Sequence, residues 1–369
     1  MNKNKIALIA NSSWYIYNFR LNLIDSLSNS YDEIMCVAPR DDYSEKLKNK
    51  NLSFHHLNLV STSQNIFKEL LSLYSLYKIV KKNKIKVLLS FTPKVNLYSC
   101  LVSRVLNVKI INNISGLGIK FRSNSIVYRI IFFSFNRLLK YSDFVFFQNK
   151  DDLLTIAESR NCKNFINIPG SGVDINKFSF DQNPLKKKYN FSLISRLIKE
   201  KGIYDYIEAI KLVKSEIPKI NCAITGFIYS DRKNSIKYSE LMEWVNMGII
   251  SYLGHTDNVK KIISQSECIV LPSYYNEGVP RILLEASAVG RPIITTNNIG
   301  CTEAIIDGVT GFLCEKRNPK DLANKMIKFV KMGQEQKNMM GRKGSEKMKN
   351  EFDERIVIRT YLDALKELL

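Results

Sequence analysis

CIVLPSYYNEGVPRILLEASAVG, residues 268–290, holds a strand, a loop and a helix in one run. CIVLPS is short, rich in Ile, Val and Leu, and reads as a buried strand. YYNEGVP carries the turn residues of a loop leaving that strand's carboxyl end. RILLEASAVG has helical apolar spacing, with Pro280 at its first turn and Gly290 as its stop. The same texture extends both ways. KIALIAN (5–11), EIMCVAP (33–39), LSFHHLNL (52–59), KVLLSFT (86–92), KIINNIS (109–115) and FVFFQN (144–149) read as strands in the first half. FSLIS (191–195), NCAITG (221–226), ISYLG (250–254), CIVLPS (268–273), PIITTNN (292–298) and GFLC (311–314) do so in the second. Helical patterns lie between them, such as IYDYIEAIKLVK (203–214) and NVKKIISQS (258–266). Strands alternating with helices imply parallel sheets covered on both faces. The expected class is α/β, with two Rossmann-like domains facing across a cleft.

The 369 residues exceed one ordinary core. The expected division is a first domain over 1–168, a turn-rich linker over 169–190 (PGSGVDINKFSFDQNPLKKKYN), a second domain over 191–350, and a C-terminal helix over 351–369 returning to the first. No run of apolar residues is long enough to span a bilayer, and IALIA is too short for a signal-peptide core. Seven cysteines without a CxxC pair argue against a disulfide framework or zinc site, and for a cytoplasmic compartment. A formal net charge of +20 calls for an anionic partner: nucleic acid, a phosphorylated substrate or an anionic membrane surface. The cations lie in short clusters without a recognisable nucleic-acid module, so a nucleic-acid-binding protein is the disfavoured alternative.

Glu277 sits in the loop, and Glu285 lies about one and a half turns into the helix. A helix start, with free N–H groups and the dipole behind them, holds an anion such as a phosphate. Gly278 lets the backbone approach it closely. A carboxylate repels phosphate but accepts hydrogen bonds from paired sugar hydroxyls. One acid at each end of a phosphate cradle fits a ligand of the form sugar–diphosphate–nucleoside. Glu285 would take the ribose and Glu277 the other sugar. Alone, the pair would equally describe a dipole-stabilising acid and a solvated one, and the surroundings decide.

NEGVPRILLEASAVGRPIITTNNIGCTEAIIDGVTGFLC resembles the donor-binding region of glycosyltransferase family 4. The family pattern is present in Glu277, Gly278, Val279, Pro280, Glu285, Ala286, Ala288, Gly290 and Pro292, with Arg281 inside it. SRLIKEKG (195–202) resembles the family's cationic element, which implies that Arg196 and Lys201 hold the nucleotide diphosphate. IPGSGVDINKF (168–178) resembles the family's linker. The resemblance implies a GT-B fold and transfer with retention of anomeric configuration. It implies no cofactor and no metal, and the chain has no Asp-x-Asp pair to anchor a metal–diphosphate. On this reading Glu277, Arg196 and Lys201 are catalytic, and Glu285, Gly278, Val279, Pro280 and Arg281 bind the donor.

In the first half, NSSWYIYNFR (11–20), APRDDYSEKL (38–47), SFTPKVNLYS (90–99) and NISGLG (113–118) resemble a bacterial subgroup that builds O-antigen, capsule or glycoprotein oligosaccharides on undecaprenyl diphosphate. The resemblance implies a nucleotide sugar and a lipid-diphosphate-linked saccharide as partners. Transfer of an N-acetylhexosamine from UDP, for example α-1,3-linked N-acetylgalactosamine, is the favoured reaction, and other UDP- or GDP-sugars (galactose, glucose, mannose, a deoxyhexose) are the alternatives. The chain departs from many members in having Asn11-Ser12-Ser13 where they carry a glycine-rich loop. It also lacks the His many carry near Thr92 and Lys94, so no general base is assigned. Ser12, Ser13, Arg20, Thr92 and Lys94 are the acceptor-side candidates; Arg20 is equally an ordinary helix-face residue. IFKELLSLYSLYKIVKK (66–82) and IVYRIIFFSFNRLLKY (126–141) are basic and aromatic-rich, which suits a peripheral position on the inner face of the cell membrane. His55 and His56 alternate across a strand and cannot share a site, and His255 reads as a turn residue. Cys268 and Cys301 read as small core or loop residues.

Overall fold

The run KIALI forms β1 (Lys5–Ile9), and from Ile6 onward none of its side chains reaches solvent. A strand buried on both faces belongs inside a parallel sheet. β2 (Glu33–Ala38) and β4 (Val87–Phe91) flank it in parallel register, with Leu8 opposite both Cys36 and Leu89. The computed structural model describes residues 4–50, 52–60, 65–117, 126–157, 164–181, 187–229 and 234–369, with backbone only for 126–132. Among these, β3 (Ser53–His56), β5 (Lys109–Ile114), β6 (Phe144–Phe147) and β7 (Phe165–Asn167) complete a seven-stranded sheet ordered β3-β2-β1-β4-β5-β6-β7.

The second sheet repeats the plan. β8 (Tyr189–Ile194), β9 (Cys222–Thr225), β10 (Ser251–Tyr252), β11 (Ser266–Leu271), β12 (Ile293–Thr296) and β13 (Gly311–Cys314) are ordered β10-β9-β8-β11-β12-β13. In each sheet the order reverses once, between β1 and β4 in the first and between β8 and β11 in the second. Open α/β sheets bind ligands beyond the carboxyl ends of the strands at such a reversal.

One compact unit comprises Met1–Ser171 with Val357–Leu369, the other Gly172–Ile356. The sequence expectation had strands where the sheets have them, with differences in extent: ISYLG narrows to the two residues of β10, and β11 begins two residues before CIVLPS and ends at Leu271. LSFHHLNL narrows to the four residues of β3, and the three-residue β7 was not foreseen. The turn-rich stretch after residue 168 also carries core residues: Val173 and Phe178 are buried among Leu271, Leu283 and Phe352 of the second unit. Residues 182–186 of that stretch lie outside the described residues.

Helix Glu354–Leu368 buries Tyr361 and Leu365 in the first unit's core. Asn113 Nδ2 donates to the Tyr361 hydroxyl at 2.9 Å, and Gln148 Nε2 donates to Asn113 Oδ1 at 2.8 Å. Phe146 meets the Tyr361 ring edge-on at 4.8 Å. The chain's last helix is thus bonded to the middle of the first sheet. Every cysteine among the described residues is free and buried, Cys268 and Cys301 included.

Candidate donor-site geometry

The strand, loop and helix of residues 268–290 appear as β11, a loop from Pro272 to Pro280, and helix Arg281–Ala288 with Pro280 as its N-cap. Gly290 follows the helix at φ +84°, a conformation few other residues adopt. The loop is firmly held. Tyr274 N–H donates to the Glu200 carbonyl at 2.9 Å, and Asn298 Nδ2 donates to the Tyr275 carbonyl at 2.9 Å. The Thr296 hydroxyl donates to the Ser273 carbonyl. Gly300 has φ +77°, and a Cβ there would collide with the carbonyl oxygens of Glu277 and Gly278. Gly202, at φ +74°, is held as closely against the Pro272 carbonyl. Two bare backbones therefore press the segments after β8 and β12 onto the loop that carries Glu277.

The segment after β8 brings Lys201 to that loop. Lys201 is 5% exposed and forms an ion pair with Glu277. The Lys201 ammonium and the Arg196 guanidinium lie 5.7 and 5.9 Å from the centre of the Tyr275 ring, within cation–π range. Arg281, the first residue of helix Arg281–Ala288, donates through Nε to Glu285 Oε1, one turn further on, at 2.8 Å. Burial raises the Glu285 carboxyl above its ordinary value, against the opposing pull of Arg281 and Lys177. Val279 is buried and helps seat the loop in the core. Lys201, distant in sequence, and three charged residues of one loop and helix thus meet as two cation–carboxylate pairs at the reversal point of the second sheet. Arg196 stands beside them. Among the described residues no cluster of three His, Cys, Asp or Glu side chains could hold a metal ion.

Gly300, Asn298 and Tyr275 were not singled out from the sequence. Gly300 and Asn298 lie inside the stretch that carried the family resemblance, but their contacts run to another loop and no local pattern reports them. His255 is half exposed, with Nε2 3.7 Å from Asp257.

The first sheet's reversal point gathers the acceptor-side candidates. Ser12 caps helix Ser13–Phe19, accepting from Tyr15 N–H. The Ser13 hydroxyl is buried, donating to the Pro39 carbonyl at 2.9 Å and lying 2.8 Å from the Ser44 hydroxyl. Arg20 is 2% exposed, with its guanidinium 4.5 Å from the centre of the Phe91 ring, at the end of β4, and bonded to the Tyr15 hydroxyl at 2.8 Å. Thr92 follows β4 at φ +79°, unusual for a β-branched residue, and its buried hydroxyl has no hydrogen-bond partner among the described residues. Lys94 pairs with Glu69 at 2.9 Å. Gly116 takes φ +112°, in keeping with a tight loop, while Gly118 lies outside the described residues.

The second unit's reversal point, with its paired acids and cations, is that of a glycosyltransferase. The model of glycosyl transferases group 1 matches residues 174–347, and that of glycosyl transferase 4-like domains matches residues 5–149. The chain belongs to this glycosyltransferase family. It is similar to the N,N'-diacetylbacillosaminyl-diphospho-undecaprenol alpha-1,3-N-acetylgalactosaminyltransferase of Campylobacter jejuni, 24% identical over 97% of both chains. It is also similar to the UDP-Gal:alpha-D-GlcNAc-diphosphoundecaprenol alpha-1,3-galactosyltransferase of Escherichia coli, 25% identical over 82% of this chain and 80% of that one. Among solved structures, Anabaena HepE in complex with UDP and glucose superposes with a TM-score of 0.81 at 16% identity, covering 99% of this chain and 100% of that one. The fold is GT-B.

Proposed function

We propose that this enzyme transfers a sugar from a nucleotide sugar to a saccharide carried on undecaprenyl diphosphate, during assembly of a bacterial surface glycan at the inner face of the membrane. UDP is the favoured nucleotide and an N-acetylhexosamine, α-1,3-linked, the favoured sugar. The support for the acceptor class is the similarity to the Campylobacter and Escherichia coli enzymes. The support for the donor mode is one observation: Glu277 and Glu285 flank the start of helix Arg281–Ala288, each held by a cation.

In this reading binding is an exchange of partners. Ribose hydroxyls donate to Glu285, and Arg281 turns to phosphate. The diphosphate takes Lys201 and Arg196, releasing Glu277 to accept from hydroxyls of the transferred sugar. Both cations are placed for charge that grows on the leaving phosphate, where such contacts contribute most. The C1–O bond to the β-phosphate breaks, and the departing phosphate oxygen takes the acceptor's hydroxyl proton. The acceptor oxygen then bonds C1 on the same face, giving retention. No metal is required, since Arg196, Lys201 and backbone N–H groups meet the leaving-group charge.

The test offers UDP- and GDP-sugars with a short lipid-diphosphate hexosamine and reads the product by mass and linkage, with and without chelator. A single UDP-N-acetylhexosamine giving an α-linked product in chelator is the expected result. Transfer abolished by chelator, or inversion at C1, would overturn the mechanism.

A further inference from the structure

Helix Ile66–Asn83 joins β3 to β4 and has two unlike faces. Ser72, Leu76 and Val80, four residues apart, are buried against the first sheet, with Leu73, Tyr77 and Ile79 beside them. Ile66, Phe67, Leu70, Leu71 and Tyr74 point the other way and are 69, 74, 58, 56 and 53% exposed. At 3.6 residues per turn these five fall within an arc of roughly 140°. Isolated exposed apolar residues are ordinary, but a contiguous patch marks a binding surface. Helix Ile126–Leu139 differs: of its described side chains, Phe135 and Leu139 are buried and Phe133 is the large exposed apolar one.

The charges around the patch select its partner. Glu69 is the helix's single acid and is turned to the protein, bonded by Lys94 and the Tyr98 hydroxyl. Lys68, Lys78, Lys81 and Lys82 are exposed, and Lys84 and Lys86 continue the series. Lys78 lies 4.8 Å from the centre of the Tyr74 ring, where the apolar surface ends. A second copy of this chain would bring the same lysines against one another. An anionic bilayer satisfies both parts of the surface: acyl chains take the apolar residues and phosphates the ammonium groups.

We propose that helix Ile66–Asn83 is the membrane anchor of this enzyme, its first half inserted in the acyl boundary and its lysine-rich second half at the level of anionic headgroups. The exposed apolar residues occupy one end of the helix, and all its lysines except Lys68 the other. The axis is therefore inclined, with Ile66 and Phe67 deepest and the lysine stems reaching back to the phosphates. This rests on the reading that the acceptor is lipid-borne, and it names the surface that meets the lipid.

The full chain is sedimented with vesicles of phosphatidylethanolamine and phosphatidylglycerol, and with phosphatidylcholine vesicles. The triple variant Phe67→Ser, Leu70→Ser, Leu71→Ser is expected to lose partitioning on anionic vesicles by about thirtyfold or more. Lys78→Gln, Lys81→Gln, Lys82→Gln together are expected to lose roughly ten- to hundredfold, and salt should mimic that loss. Val105→Ser, which removes an equally exposed apolar side chain from another helix, is expected to change nothing. Each variant should keep the thermal shift given by UDP, which separates this result from the nucleotide reading. Loss of the UDP shift in the unaltered chain, with vesicle binding kept, would sink that reading and leave the anchor standing. Unchanged partitioning of the Phe67 triple variant, equal binding to phosphatidylcholine, or a dimer that this variant converts to monomer would overturn the anchor.

Discussion

The two sheets reverse strand order at equivalent places, after β1 and β4 in one unit and after β8 and β11 in the other, yet the two points are furnished differently. In the second unit the candidate side chains are charged and held by opposite charges, Lys201 by Glu277 and Arg281 by Glu285. Such partners can be exchanged for a phosphate or a hydroxyl pair without leaving a buried charge alone. In the first unit one candidate, Lys94, is paired with a carboxylate, Glu69, while Ser13 and Arg20 are held by neutral neighbours. Ser13 bonds Pro39 and Ser44, and Arg20 stacks on Phe91. A site with exchangeable pairs suits a charged ligand of fixed shape. A site held mainly by neutral neighbours suits a ligand recognised by shape, with Lys94 as its candidate charged contact.

The sharpest way to break this comparison is to remove charge on each side. Lys201→Ala and Arg196→Ala should each lower kcat by about 10²- to 10³-fold, the size of losing a transition-state charge contact. Glu277→Ala should depress turnover more than nucleotide affinity, and Glu285→Ala the reverse. Lys94→Ala should instead raise the KM for the lipid-linked acceptor while UDP affinity stays unchanged. Steady-state kinetics with both substrates varied, together with UDP titration calorimetry, separates these outcomes. If Lys94→Ala weakened UDP binding as much as Lys201→Ala, the contrast would fail.

Much of the second unit's site was legible because strand, loop and helix follow one another within residues 268–290, and local rules govern each. Pro280, Gly290 and the two acids lie where turn chemistry and helix capping place them. What was not legible is long-range. Gly300 and Gly202 were not singled out, because what they do is let one backbone touch another near Glu277. Arg20 read as a helix-face residue or an acceptor contact, and nothing local announces that its guanidinium lies on Phe91, seventy-one positions away. β7 was missed because three residues at a sheet edge carry no period. Phe178 lay hidden in a stretch whose composition reads as linker, although its side chain packs in a core.

The pH dependence of donor binding sharpens the exchange model. Glu285 has a carboxyl raised by burial and lowered by Arg281. Ribose hydroxyls bond the carboxylate form, so affinity for a UDP-sugar should rise with pH through this raised value, above the ordinary carboxylate range. A UDP-sugar suits the measurement, since its phosphodiester groups remain ionised throughout. Arg281→Met removes the lowering influence, so the edge should move to higher pH. Stability runs the other way. The native state holds this proton more tightly than the unfolded chain, so the stability it contributes is present below the ordinary carboxylate value and lost as pH rises through the raised one. An edge that stays put in Arg281→Met would show that Glu285 does not govern binding.

The smallest effect on donor binding is expected from the first unit's core, and it is the strictest check that the two regions differ. Tyr361 receives the Asn113 amide, and its ring packs on Phe146. Tyr361→Phe keeps the ring and removes the oxygen, leaving a buried N–H without its acceptor. The cost should be about 1–3 kcal/mol, read as a lowered denaturation midpoint with an unchanged denaturant slope. Asn113→Leu with Tyr361→Phe removes donor and acceptor together. It should recover part of the loss, with the remainder set by Gln148, whose amide bonds Asn113 Oδ1. UDP affinity should be the same in all three proteins, because every residue proposed to touch the nucleotide lies in Gly172–Ile356. A drop in UDP affinity that tracks the loss of stability would mean that the first unit's packing sets the donor site, and that the division of labour drawn from the two reversal points is false.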